Sequence, residues 1–295
     1  ELFQISRFYE RESPPPPGVA ADMHAVLHYH NNWAHLSMLK AEWATALEHT
    51  KRAWEAMLKP TRLRERSTEE VFSAVVLTSN YLMVSAYVLN YLEYQKLDAS
   101  IAEWAAEMQL DEAPAAIIAF QCYLNKLRCA TINTLYGHAE SCFQSFHDKQ
   151  TTDWAQSKMV HARQVPFYEA MAAWGTGDTD SALKRLAFYQ RHPLSVDSPV
   201  LSLSVLALRL SLLLQLEDID ALDLTLREFG KLSRQYAKHL TVQCISVPLS
   251  NLEQPDQVAI RRCLKRIAPD YYSLAEQPWR NGVEVFFPVP VLFGE

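Results

Sequence analysis

Two amphipathic stretches either side of a short break, residues 23–40 and 43–58, constrain this chain more than anything else in it. Ala34, Ala46 and Ala53 fall where two antiparallel helices must approach closely, and Trp43 and Trp54 supply the bulk that fills the gap. The pair reads as one helical hairpin. Such a hairpin leaves an apolar face uncovered, so neighbours must stack on it. Weaker copies follow, with folding-back helices starting near Trp43, Asp98, Tyr136, Thr179 and Ile219. Their intervals of about 40 to 55 residues lie in the range of helical repeats. The expectation is an all-α chain, an α-solenoid of antiparallel hairpins.

Glycine usage agrees. The chain has 7 glycines in 295 residues, where average usage predicts about 20. Tight β-hairpins and phosphate-cradling loops both need glycine, so a mostly-β fold and a Gly-rich nucleotide site are disfavoured. Net charge is −6, and the densest basic group, Lys59, Arg62, Arg64 and Arg66, reads as a solvated loop. Nucleic-acid binding by phosphate neutralisation is not suggested. Five cysteines, odd in number and without CxxC spacing, fit a reduced, cytoplasmic compartment. The longest apolar run, residues 196–216, is interrupted by Asp197, Arg209 and several serines, which argues against a membrane span. No signal peptide is visible at the start.

Three regions emerge. Residues 1–19 read as a helix remnant and a spacer carrying Pro14 to Pro17. Residues 20–240 hold the repeat array. Residues 241–295 carry looser helices, one over about 256–267, and an extended apolar tail. Within the array, Ser67-Thr68-Glu69-Glu70 is a capping box opening a helix expected to reach Tyr94, followed by a shorter one over 98–109. Pro114 fits a helix first turn. Residues 153–175 read as a helix kinked or split at Pro166, and Gly175-Thr176-Gly177-Asp178 as a turn.

At these residues the chain resembles the tetratricopeptide repeat family. The order small residue, turn aromatic, then alanines is matched by Ala34, Trp43, Ala46 and Ala53. Ala130, Tyr136 and Ala139 match in part, with Phe143 and Phe146 filling later positions, as do Ala170, Gly177-Asp178 and Ala182-Leu183. Leu216-Glu217-Asp218-Ile219 looks like the family's Leu-Gly-Asp-Tyr turn with glycine replaced. Divergent, elongated repeats of uncharacterised bacterial proteins are the nearest in kind. The resemblance implies a protein or peptide partner on a concave face lined by first helices. The family's carboxylate clamp needs lysine on that face, and the first repeat offers His28, Asn31 and His35 instead, so chaperone-tail binding is not supported.

His24, His28, Asn31 and His35 form a single stripe on a helix. Three readings stay open for it: a metal pair, a partner-binding groove, or ordinary surface and core histidines. Residue 25 is alanine, so the His-Glu-x-x-His zinc signature is absent. Gln121 and Arg128 occupy the equivalent face of a middle repeat, where Arg128 either meets a carboxylate or is an exposed charge. Tyr81, Tyr87, Tyr91 and Tyr94, like Phe167, Met171 and Trp174, are read as packing between repeats or as a stacking surface for a ligand. Glu69-Glu70 and Asp218-Asp220 mark helix starts rather than acid–base pairs.

No nucleophile turn or cofactor motif is recognisable, so the expectation is a non-catalytic scaffold binding a protein or peptide through His28, Asn31, His35, Gln121 and Arg128, with no metal, cofactor, nucleic acid or membrane. The alternative is the ligand- or peptide-sensing module of a regulator with its effector domain upstream of Glu1. The tail over 283–293, rich in Val and Phe, is expected to cap the final helices near Cys263 to Ile267, or else to dock on another chain.

Overall fold

Helix starts in this chain are written by polar caps. The clearest is Ser67, whose side chain accepts from the Glu70 amide while the Glu70 carboxylate accepts from the Ser67 amide, closing the expected capping box. Asn90, Asp178 and Asp218 repeat half of this device, each accepting from the amide three residues on. The structure, a computed structural model, describes residues 23–40, 42–58, 67–147, 159, 161–192, 199–252 and 256–275. Among them it is all-helical, with no strand.

The chain divides into two compact units, Glu1–Asn133 and Thr134–Glu295. In the first lie α1 (Met23–Leu39), α2 (Trp43–Leu58), α3 (Thr68–Val88), α4 (Tyr91–Glu107) and α5 (Glu112–Ile132). Its principal packing joins α1 to α2, α2 to α3, α3 to α4 and α5, and α4 to α5. In the second lie α6 (Tyr136–His147), α7 (Val165–Gly175), α8 (Thr179–Arg191), α9 (Pro199–Leu216), α10 (Ile219–Gln235), α11 (Leu240–Ser250) and α12 (Gln257–Ala275). There, too, each helix packs on its sequence neighbours, while α9 also touches α7 and α11.

A common spacing runs across four pairs of successive helices. Taking Glu42, Asn90, Asp178 and Asp218 as the residue that opens each second helix, the residue eight before it is Ala34, Leu82, Ala170 or Leu210. The residue four after it is Ala46, Tyr94, Ala182 or Leu222. All eight are fully buried. The residue eleven after it, Ala53, Ile101, Tyr189 or Phe229, is buried as well. Burial therefore falls at the same distances from each of the four turns.

Three of the turns also share backbone bonding. The amides of Glu42, Asp178 and Asp218 reach back five residues to the carbonyls of Ser37, Ala173 and Leu213 at 2.8, 2.9 and 3.3 Å, the six-to-one bond of a Schellman ending. That ending needs a left-handed residue just before. Gly177 supplies one at φ 84°, and Glu217 takes the same conformation at φ 59° without being glycine. Gly175 has a different task. A Cβ there would stand 2.0 Å from the Tyr136 ring, so its missing side chain lets α6 lie against α7.

The structure corrects several expectations. The helix opened by Ser67 stops at Val88, because Asn90 caps a new helix; Tyr91 and Tyr94 therefore belong to α4, and the helix expected over 98–109 begins at Tyr91. Of the two readings at Pro166 the split holds: α7 starts at Val165 with Pro166 in its first turn, after a 3-10 turn, Ala162–Gln164, while residues 153–158 lie outside the described residues. Beyond residue 240 the order does not loosen: α11 is regular, and α12 continues past Pro269 to Ala275. Ile245, Leu249, Ile260, Cys263, Leu264 and Ile267 share one core with Leu210, Leu222 and Phe229. Trp43 is half-buried rather than buried, and it packs on Tyr87 of α3. Trp54 leaves the first hairpin in the same direction, against Tyr81 and Trp104, with its indole N–H donating to Thr78. The tryptophans thus join the hairpin to the next helices. The apolar run read as interrupted is α9, buried along 78% of its length. The spacer, the basic group at 59–66 and the tail at 283–293 lie outside the described residues.

Candidate functional site

The N-terminal halves of α1 and α3 face each other across a cleft of about 500 Å³. Leu27, His28 and Asn31 form the α1 wall, Phe72, Ser73, Val76 and Leu77 the α3 wall, and Met57 closes one end. The capping box holds this geometry at the mouth: it fixes where α3 starts and engages the Glu70 carboxylate, leaving exposed Glu69 on the rim. Further along, Asn80 donates to Asn31 Oδ1 at 3.4 Å, tying the two walls together. Phe72 is 65% exposed and Val76 38%, one helical turn apart on α3.

The histidine stripe divides. His28 and Asn31 line the cleft; His35, further along α1, is half-buried and does not. Burial holds the His35 imidazole below the ordinary histidine value. The side chain of His24 lies outside the described residues. Gln121 and Arg128 are not on an exposed face: both are buried in α5, where Asn125 Nδ2 donates to the Gln121 carbonyl at 2.9 Å and Arg128 donates to Asn125 Oδ1. The Arg128 guanidinium also sits 5.3 Å from the Tyr87 ring centre. The expectation of a solvent-facing charge is corrected, because α5 carries this polar row inward. Tyr81 and Tyr94, with Phe167 and Met171, are core side chains.

A second cluster went unnoticed in the stripe. His30 Nδ1 of α1 and His49 Nδ1 of α2 lie 2.9 Å apart, bridging the first hairpin. Trp33 stacks on His49 at 6.1 Å, and Tyr29 meets His30 edge-on at 5.1 Å. Burial, then the charges of His49 and Arg52, depress the His30 value against Glu48; burial depresses that of His49, again against Glu48. A signal for the pair did exist. His30 stands nine residues before the end of α1 and His49 six after the start of α2, so an antiparallel hairpin brings them near each other.

The five cysteines are free thiols. Burial pushes Cys129 up to about 12 and Cys244 up to about 11, far from the thiolate range in which cysteine is a nucleophile. Among the described residues, no group of three or more His, Cys, Asp or Glu is placed to hold a metal. Glu140 and Arg185 pair at 3.0 Å beside the Phe143 ring, and Arg209 pairs with Glu228 at 2.9 Å, both tying adjacent elements together within the second unit.

No protein-family model matches the chain, and neither a curated protein nor a solved structure matches it.

Proposed function

We propose that this chain is a non-catalytic scaffold, an array of tetratricopeptide-like hairpins that binds a peptide or protein partner in the cleft between α1 and α3. The observation that carries the reading is the cleft itself. Its apolar floor of Leu27, Met57 and Leu77 and its protruding Phe72 and Val76 offer an anchor pocket for an apolar side chain. Asn31 and His28 supply a few polar contacts to orient the bound segment. The common spacing supports the solenoid, since repeats that bury a face only on their neighbours must be arranged in series.

Affinity enrichment with defined variants tests this. Wild type, Phe72→Asp and Leu92→Asp are each used as bait, Leu92 being an equally exposed apolar residue on α4, outside the cleft. A partner held by wild type and Leu92→Asp but lost from Phe72→Asp supports the cleft. Equal retention by all three rejects it.

A further inference from the structure

The His30–His49 contact is head-on. The two nitrogens are 2.9 Å apart and the ring centres 5.1 Å apart, so each Nδ1 points at the other. Two imidazoles sharing a tetrahedral metal through ligand bonds of about 2.0 Å would hold their nitrogens about 3.3 Å apart, farther than this pair stands. A nitrogen pair at that separation and orientation is a hydrogen bond in which one Nδ1 carries the proton and the other accepts it. Two protons do not fit between them.

We propose that the first hairpin is latched by the single proton shared between His30 and His49, and that uptake of a second proton loosens α1 and with it the His28–Asn31 wall of the cleft. The consequence for binding rests on the cleft reading above; the latch does not. The pair sits at the α1–α2 contact, the first packing layer of the unit, and His30 is almost fully buried. A second proton leaves two imidazolium rings nitrogen to nitrogen in a partly dry site, where like charges repel most. The surrounding charges do not cancel this. Glu48, ion-paired with Arg52, favours the charged form of both rings and at His49 does so more than Arg52 opposes it, but burial is the larger effect at each ring. On α1, Tyr29 and Trp33 are the facing rings and bring no countercharge. On α3, the carboxylates are Glu69 and Glu70 in the first turn, at the cleft.

Hydrogen exchange of the full chain, corrected for the intrinsic pH dependence of amide exchange, reads the latch. Between about pH 7.5 and about pH 5.5, which straddle the ordinary histidine value, protection of the α1 amides should fall roughly tenfold or more relative to that of α9. His49→Gln keeps a donor for His30 without titrating in this window, and the fall in its α1 protection should be clearly smaller than in wild type, the remainder coming from buried His30 and His35. Should His49→Gln fail to fold, nitrogen-detected spectra of the wild-type imidazoles decide instead: one ring must be the Nδ1–H tautomer and its partner must have a bare Nδ1. Unchanged α1 protection across the window, or two rings both protonated at Nε2 alone, overturns the latch whether or not the cleft binds anything. Failure to find a partner at either pH overturns the cleft reading and leaves the latch standing.

Discussion

At the residue scale, burial without countercharge governs the titratable groups. His30, His35, His49 and His239 are all held below the ordinary histidine value, with desolvation the first cause in each. Because the native state binds these protons more weakly than the unfolded chain, their contribution is complete above the unfolded value of about 6.5 and is lost as pH falls through the lower native values. The thermal midpoint should therefore drop on going from neutral to mildly acidic buffer; a midpoint that rises over that interval contradicts the burial argument. Backbone strain gives a second residue-level outcome. Glu217 holds a left-handed conformation that costs a non-glycine residue about 1–2 kcal/mol. Glu217→Gly should stabilise the second unit by about 1 kcal/mol in denaturant titration, glycine's greater freedom in the unfolded chain offsetting part of the gain. Glu217 here takes the left-handed conformation that Gly177 takes before Asp178.

At the element scale, the sequence shows a helix end clearly only where chemistry punctuates it. Asp178 and Asp218 announce their helices because glycine or a short acidic cluster stands beside them, and the Ser67 box is complete in four residues. Asn90 caps just as firmly, yet the apolar pattern runs unbroken through Val88, Leu89, Tyr91 and Leu92, so the break between α3 and α4 is hidden. The α11 helix was hidden for the opposite reason: Pro248 lies within its last turn, where a proline reads as a helix stop. Close approach was legible as small residues, but which ring fills the space was not. Gly175 meets Tyr136, not a residue of its own hairpin partner. Gly175→Ala forces that ring to move and should cost about 1–3 kcal/mol of second-unit stability, as overpacking does. A change below a few tenths, read by urea unfolding, would mean that the ring has room to swing away.

At the scale of the whole molecule, the described residues are all-helical, as expected, and the residues flanking four of the turns keep the same spacing. The site was only half readable. His28 and Asn31 could be placed on one stripe, but Phe72 and Val76 face them from a helix nearly fifty residues on, a distance that no local pattern spans. Arg128 misled because a charged side chain in a helix is usually solvated; here Asn125 and Tyr87 give it an interior place. The central claim, that the α1–α3 cleft is where a partner binds, is tested most directly by photo-crosslinking. A benzoyl-phenylalanine placed at Phe72, and separately at Leu92, reports contact from two apolar positions of 65% and 70% exposure. A discrete crosslinked product from position 72 and none from position 92 is the predicted result. Product from position 92 alone, or equal yields from both, would contradict it.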